Sequence, residues 1–128
     1  MRYKSLLILL AWAATHDYEV RHLDVPKAFL QAVLDEVIFM EQPEGCNDGD
    51  RSKVWKLLKS VYGIRQAPNN WNHELNRALL SLGFARLKSD PCIYVKPCRN
   101  TARQIVLGVF VDDIIPVFDR ADDEEDRI

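Results

Sequence analysis

The residues from Gln104 to Phe118 read QIVLGVFVDDIIPVF, and this stretch decides the predicted fold. Two strongly apolar runs, Gln104–Val111 and Ile114–Phe118, are separated only by the acidic pair Asp112-Asp113. Two residues between two apolar strands match the commonest loop length of a β-hairpin. The stretch therefore predicts an antiparallel hairpin that carries Asp112 and Asp113 at its tip.

The remainder of the chain mixes helices and strands without a regular alternation. Residues 5–16 are predicted to form a helix that ends near Asp17, and Pro43–Ser52 is predicted to be a loop because of its glycines and asparagine. β-branched and aromatic residues predict short strands at Glu19–Val25, Val37–Glu41, Lys53–Leu58 and Cys92–Lys96. Since no βαβ pattern recurs, we expect an α+β fold with an antiparallel sheet and packed helices.

A second helix is predicted after Pro68, with Asn69 or Asn70 as its N-cap and Gly83 as its C-cap. Its apolar residues recur at spacings of three and four, which is typical of a helix with one buried face. These residues are Trp71, Leu75, Leu79 and Leu82.

Length and composition are those of one modest globular domain. The chain has 128 residues, 48% of them hydrophobic, and a formal net charge of −2. A nucleic-acid-binding domain usually has a basic surplus. Here basic residues concentrate between Arg51 and Arg65, and acidic residues concentrate in the tail 119–128, so that the body without the tail is mildly basic. The three cysteines have no C-x-x-C spacing, which argues against a zinc site.

The N-terminus leaves two interpretations open. Met1–Lys4 is basic, Leu6–Ala14 is apolar, and Ala11-Trp12-Ala13 imitates a cleavage site, which is the outline of a secretory signal peptide. The alternative is a buried amphipathic helix. The apolar run is too short to span a membrane, which needs about 20 residues.

The acidic residues also allow two interpretations. Aspartate is common in hairpin loops, so the pair Asp112-Asp113 alone favours a simple turn. A third acid, Asp24, ends a predicted strand 88 residues before Asp112. Carboxylates from separate elements that converge on one point could hold two metal ions for phosphoryl transfer. Spacing alone does not establish that they converge.

Four ordered blocks of sequence resemble the reverse transcriptase domain of copia-type retrotransposon polyproteins. They are LDVPKAFLQAVLDEVIFMEQPEG, KVWKLLKSVYGIRQAPNNWN, LLSLGFARLKSDPCIYVK and VLGVFVDDI. Because residues 5–20 also resemble the segment that precedes the first block, we prefer the buried helix to the signal peptide. The resemblance implies that residues 1–128 are a partial palm-and-fingers domain, truncated in the acidic tail, of an RNA-directed DNA polymerase.

The same resemblance implies the site. Asp24, Asp112 and Asp113 would be the catalytic aspartates and, with the backbone carbonyl of Val25, would bind two Mg²⁺ ions, with Mn²⁺ as an alternative. Asp24 and Asp112 would bridge the metals, and Asp113 would be more peripheral.

The nucleotide-binding residues implied by the resemblance are Phe29, Tyr62 and Gly63. Phe29 would clash with a ribose 2′-OH and so select deoxynucleotides, and Gly63 would let the backbone approach the ligand. Lys59 and Arg65 are candidate nucleic-acid contacts, although a solvated surface explains either equally well.

The expected partners are an RNA or DNA template-primer and deoxynucleotides in the full-length protein, without a membrane. The expected location is intracellular, in the cytoplasm or in a virus-like particle, and the oligomeric state stays open. In the family, basic fingers residues precede Met1, and the primer grip, thumb and ribonuclease H follow Ile128. We therefore expect negligible activity from the isolated chain.

Three departures from the family pattern suggest that the chain comes from a decayed copy of such an element. Pro26 follows the metal-binding segment, Pro116 interrupts the second strand of the hairpin, and Gln31-Ala32 replaces an Asn-Gly-like turn. The alternative hypotheses are thus a remnant that binds nucleic acid or protein without catalysis, and a small secreted protein with a cleaved leader.

Overall fold

The structure is a computed structural model that describes residues 1–46, 49–50, 52–98 and 103–119. Contacts between residues divide the chain into two compact units, Met1–Pro26 with Asn76–Ile128, and Lys27–Leu75, which are described separately. The helices and strands in chain order are α1 (Tyr3–Thr15), β1 (Glu19–Val20), β2 (Leu23–Asp24), α2 (Ala28–Gln31), β3 (Phe39–Glu41), β4 (Val54–Lys56), α3 (Ala67–Ser81), β5 (Ala85–Arg86), β6 (Ile93–Pro97), β7 (Gln104–Phe110) and β8 (Asp113–Phe118).

The first unit contains an antiparallel sheet with the strand order β1-β8-β7-β6-β5, in which β2 also pairs with β8. The predicted hairpin is its centre, because β7 and β8 pair from Val106↔Val117 to Phe110↔Asp113. Strand β7 is buried except at its two ends, as its apolar composition predicts. The α+β class with an antiparallel sheet is confirmed.

The strand predicted at Glu19–Val25 is split into β1 and β2, and Pro116 explains the split. Both pieces share one register on β8, Val20↔Val117 and Leu23↔Ile114, so no residue is inserted between them. The Arg21 N–H donates to the Pro116 carbonyl at 3.0 Å. Proline has no N–H with which to complete the reciprocal bond. The ladder is therefore interrupted by one missing hydrogen bond.

Helix α1 confirms that the N-terminal segment is helical and packs on the sheet, but it is not buried as predicted, because Leu7, Ile8 and Leu10 are exposed. Its buried residues Leu9 and Ala13 join Ile93, Val106 and Val117 in one apolar cluster. Gly108 of β7 permits this close packing, since a Cβ there would lie 2.9 Å from Met1 Sδ and 3.2 Å from Leu9 Cδ2. Among the described residues, no helix is long and apolar enough to cross a membrane.

The start of α1 is held by Asp90, from the loop before β6. One Asp90 oxygen accepts the Arg2 N–H at 3.0 Å, and the other accepts the Cys92 N–H at 3.0 Å. Asp90 is 3% exposed. Burial raises the pKa of this carboxyl, but hydrogen bonds from the Ser5 side chain and from the Arg2 and Cys92 backbone outweigh it and lower the pKa to about 2. A distant carboxylate thus acts as the cap that α1 lacks in its own sequence.

Helix α3 differs from its prediction at both ends. It begins at Ala67, before Pro68, so neither Asn69 nor Asn70 is its N-cap. Trp71, Leu75 and Leu79 are buried as predicted, whereas Leu82 is 53% exposed. Leu82 follows the last helical residue, which explains why it leaves the buried stripe.

The C-terminal cap of α3 is confirmed. Gly83 has a φ of +88°, its N–H donates to the Leu80 carbonyl at 3.0 Å, and the Phe84 N–H donates to the Leu79 carbonyl at 3.1 Å. This is the Schellman arrangement, which requires a residue in the left-handed conformation.

The second unit contains α2, the β3–β4 hairpin and the first part of α3. Strands β3 and β4 pair from Phe39↔Lys56 to Glu41↔Val54 and lie within the predicted strand segments. The predicted loop between them is confirmed for its described residues, while Asn47, Asp48 and Arg51 lie outside the described residues. In the acidic tail only Asp119 is described.

We predict that Asp90→Asn destabilises the first unit in a pH-dependent way. A carboxylate with a lowered pKa stabilises the folded state above its unfolded pKa of 3.8, and this contribution is lost as the pH falls toward about 2. At pH 7 the substitution should lower the free energy of unfolding by about 1–3 kcal/mol, the range for buried hydrogen bonds to a charged group. Near pH 2 most of this difference should be lost, because the carboxyl is then half protonated in the folded state. Urea unfolding at both pH values measures it, with the exposed Asp17→Asn as control, and a pH-independent loss would contradict the prediction.

Candidate active site

The tip of the β7–β8 hairpin corrects one prediction. The last strand pair is Phe110↔Asp113, so the two-residue loop is Val111-Asp112 and Asp113 belongs to β8. Val111 adopts a φ of +56°. A β-branched residue rarely adopts this left-handed conformation, and strain of this kind persists only where the surrounding structure enforces it. The sequence pattern did not predict this loop, because valine disfavours it.

The register of β2 against β8 brings Asp24 to the hairpin. Asp24 is directly opposite Asp113, and the Val25 N–H donates to the Asp112 carbonyl at 2.9 Å. In an antiparallel pair, hydrogen-bonded and non-bonded positions alternate. Asp24 and Asp113 therefore occupy a non-bonded position, where side chains share a face and the Cβ atoms lie about 4.5–5.5 Å apart.

A histidine that we did not single out from the sequence also lies on this face. His22 Nε2 is 2.6 Å from Asp113 Oδ1. Because side chains alternate along a strand, His22 is on the same face as Asp24, two residues later. The alternation in the sequence HLD was the signal that could have found it. His22 therefore contacts one of the two facing carboxylates.

The three aspartates are accessible to solvent. Asp24 is exposed, and Asp112 and Asp113 are partly exposed. Their carboxylates therefore remain at least partly hydrated. A cavity of about 340 Å³ opens beside Asp113. Its lining comes from the start of α1 and from the acidic end of the sheet: Met1, Arg2, Tyr3, Leu6, His22, Phe110, Asp113 and Ile115.

The donors at this site fit a divalent cation held through oxygen. Mg²⁺ is commonly bound by one or two carboxylates, with waters and substrate phosphates as the other ligands. Asp24 and Asp113 supply two carboxylates on one face, and Asp112 is adjacent in the loop. Among the residues that the structure describes, no three His, Cys, Asp or Glu side chains already converge closely enough to hold a metal.

The candidate nucleotide-binding residues meet in the second unit. The rings of Phe29 and Tyr62, 33 positions apart in the sequence, have centroids 4.7 Å apart at an angle of 58°. Gly63 follows Tyr62 and has a φ of +97°. A Cβ at this position would have no atom within 4 Å, so the backbone is open to a ligand. Lys59 and Arg65 are both exposed. Lys59 also forms an isolated bridge with Val33.

A buried polar cluster supports this part of the second unit. The Asn70 side-chain amide donates to Asp35 Oδ1 at 3.3 Å and to Ser60 Oγ at 3.4 Å, and Ser60 is fully buried. The Ser60 N–H donates to the Ala32 carbonyl at 3.1 Å. Sequence reasoning missed this cluster because it assigned Asn70 to a local capping role.

Comparisons with known proteins match nearly the whole chain. A family model described as reverse transcriptase (RNA-dependent DNA polymerase) matches residues 1–123. The chain is 40% identical over 118 residues to the retrovirus-related Pol polyprotein from transposon TNT 1-94 of Nicotiana tabacum, an alignment that covers 91% of this chain and 9% of that polyprotein. It is 39% identical over 112 residues to the retrovirus-related Pol polyprotein from transposon RE1 of Arabidopsis thaliana. That alignment covers 87% of this chain and 8% of that polyprotein.

A more distant relative is the transposon Ty1-BL Gag-Pol polyprotein of Saccharomyces cerevisiae, which is 27% identical over 118 residues and covers 90% of this chain and 6% of its own length. The chain thus spans less than a tenth of the length of these three curated relatives. No solved structure matches the chain.

We predict that Asn70→Ala lowers the free energy of unfolding by about 1–3 kcal/mol, because it leaves the buried Ser60 hydroxyl without this partner. Asn69→Ala, an exposed change in the same turn of α3, should stay within about 0.5 kcal/mol of the unsubstituted chain. Chemical denaturation followed by tryptophan fluorescence measures both. Equal effects of the two substitutions would contradict a role for the Asn70 cluster.

Proposed function

From the premise that the chain belongs to the reverse transcriptase family, we propose that it is a partial palm-and-fingers domain of a copia-type RNA-directed DNA polymerase. The single observation that carries this proposal is the antiparallel register that places Asp24 opposite Asp113 at the tip of the β7–β8 hairpin. The partners of the full-length protein would be a template-primer and deoxynucleotides. We further propose an intracellular location, within a virus-like particle in the complete element.

In this proposal the acidic face is the catalytic centre. Asp24, Asp112 and Asp113 would hold two Mg²⁺ ions together with the backbone carbonyl of Val25. Bound Mg²⁺ would neutralise the charge that develops on the oxygens of the transferred phosphoryl group. The contribution of the chain itself is positioning: the register of β2 and β8 fixes where the carboxylates stand.

In the second unit, the pair of Phe29 and Tyr62 would contact the sugar of the incoming nucleotide. A ring in van der Waals contact with the sugar leaves no room for a 2′-OH, which excludes ribonucleotides by a clash. The contact between the two rings supports this role, since Tyr62 restricts the positions that Phe29 can adopt. The left-handed Gly63 leaves the adjoining backbone open.

A second candidate function is a remnant that binds nucleic acid or protein without catalysis. The observation that favours it is the lack, among the described residues, of three metal-binding side chains that already converge. The two candidates differ in whether the acidic face takes up a cation.

We predict that the chain binds Mn²⁺, used as a paramagnetic substitute for Mg²⁺, through Asp24. Removing one carboxylate from the facing pair should weaken binding by at least tenfold, the scale that loss of a supporting group has at metal sites. The experiment is a titration followed by electron paramagnetic resonance on the unsubstituted chain and on Asp24→Asn. Asp17→Asn, exposed and compatible with the left-handed φ of +55° at that position, is the matched control. Equal affinities in all three proteins would favour the remnant.

We also predict that the isolated chain does not carry out processive primer extension. With a net charge of −2 it offers little compensation for a triphosphate, and polymerase catalysis depends on such electrostatic positioning. Synthesis should appear when residues 1–118 replace the matching segment of an active copia-type reverse transcriptase, and Asp112→Asn in that chimera should abolish it. The measurement is extension of a labelled primer on an RNA template with Mg²⁺. Asp112-dependent synthesis by the isolated chain would refute the first expectation, and an inactive but folded chimera would refute the proposed function.

A further inference from the structure

The side of α1 that faces away from the sheet is apolar and exposed. Leu9 and Ala13 are the buried residues of this helix. On its outward side, Tyr3, Leu7 and Leu10 are 74%, 48% and 39% exposed. A helix that is apolar on every side is normally buried by other elements, and an exposed apolar patch of this kind marks an interaction surface.

We propose that the outward side of α1 docks antiparallel on the same side of α1 in a second copy of the chain. This side, the α1 stripe, consists of Tyr3, Lys4, Leu7, Leu10, Ala11 and Ala14. The result is a symmetric dimer whose two-fold axis passes between Leu10 and Ala11. The inference is independent of the proposed function, since it uses neither the acidic face nor the second unit.

The spacing of the α1 stripe suits packing between two helices. Apolar residues recur along it at intervals of four, three and four positions, the alternation with which one helix meets another along a single side. These residues are Tyr3, Leu7, Leu10 and Ala14. Because α1 has 13 residues and is about 20 Å long, the stripe extends over nearly its whole length.

Large and small residues match in the antiparallel arrangement. With the axis between Leu10 and Ala11, Leu10 meets the partner's Ala11, and Leu7 meets the partner's Ala14. Large residues opposite small ones fill an interface without voids. A symmetric dimer requires a surface that complements itself, and the α1 stripe meets this requirement.

Charge selects the antiparallel orientation over the parallel one. Lys4 is the only charged residue of α1, and Arg2 directly precedes the helix. A parallel pair would bring these cations of both copies together. An antiparallel pair instead places Lys4 beside the end of the partner's helix, where the last carbonyls carry a partial negative charge that attracts a cation.

The area of the α1 stripe is that of a weak dimer. Its exposed side chains offer on the order of 500 Å² per copy, compared with roughly 800 Å² per partner in a standard complex. Two copies together reach about 1,000 Å², the low end for a specific interface. We therefore expect a dimer that forms and dissociates with concentration in the range of about 10 μM to 1 mM.

Sedimentation equilibrium of the full 128-residue chain tests the dimer. The unsubstituted chain should show a reversible monomer–dimer equilibrium. Leu7→Glu should weaken association by about tenfold or more, because it buries a carboxylate against apolar surface. Ile8→Glu is the matched control: Ile8 is 70% exposed but lies on another side of α1, where it lines a cavity of about 470 Å³. Its dissociation constant should stay close to that of the unsubstituted chain.

A mixture of two variants tests the orientation. Leu7→Glu and Ala14→Lys should each associate poorly alone, since each dimer then buries two unpaired charges. Positions 7 and 14 of different copies face each other only in the antiparallel arrangement. Mixing the two variants should therefore give a heterodimer that is tighter than either homodimer by about tenfold or more.

Each contrary outcome overturns a defined part of the proposal. A monomeric mass of the unsubstituted chain at every concentration up to about 1 mM would overturn the dimer, whether or not the variants fold. Binding of that monomer to phosphatidylcholine vesicles would assign the α1 stripe to a lipid surface instead. Equal weakening by Leu7→Glu and Ile8→Glu would mean non-specific association of apolar surface. No gain on mixing the two variants would overturn the antiparallel arrangement.

Discussion

The register of β8 between β7 and the pair β1 and β2 is the constraint on which the rest of the first unit depends. Side chains alternate along a strand, so a slip of one residue would move Asp113 to the opposite face and away from Asp24. Val117 prevents that slip: it is fully buried, pairs with both Val106 and Val20, and packs with α1. The packing of an apolar residue four positions along the strand thus determines where the acidic residues lie.

The same register accommodates the two prolines that depart from the family pattern. Pro116 removes one N–H, but its carbonyl still accepts the Arg21 N–H and the strands on both sides of it stay aligned. Pro26 follows Val25, whose N–H is bonded to Asp112, so alternation turns the backbone nitrogen of Pro26 away from β8. In the described residues β2 pairs with β8 alone, and proline is tolerated on such an edge. The prolines therefore give little support to decay of this hairpin.

The elements that sequence reasoning predicted are those whose signal is local. The apolar runs of β7 and β8 and the glycine cap of α3 follow from periodicity and backbone preference, whereas helix α1 was preferred to a signal peptide because of the resemblance to the family. The tip of the hairpin was displaced by one residue because the ladder forces Val111 to a φ of +56° that valine by itself avoids. Asn70 was assigned to a cap because the local preference of asparagine is strong, but its side chain instead bonds Asp35 and Ser60 from other segments. Asp24 and Asp113 are 89 positions apart in the sequence. Their separation along the chain does not reveal which residues of two strands lie opposite each other, so this pairing could not be predicted.

The energies of the contacts at the acidic face are small and nearly cancel. Two unit charges about 5 Å apart repel by roughly 1 kcal/mol in water and by about 3 kcal/mol at a protein surface with an effective dielectric constant of 20. Since Asp24 is exposed and Asp113 is partly exposed, the lower figure is the better guide. The contact between the exposed side chains of His22 and Asp113 contributes no more than about 0.2–1 kcal/mol, which is of the same order. The face is therefore close to balance without a cation, and neither the repulsion nor the histidine contact is strong enough to fix one arrangement. A cation that bound both carboxylates, as the proposed function requires, would remove this repulsion and so favour one arrangement of the face.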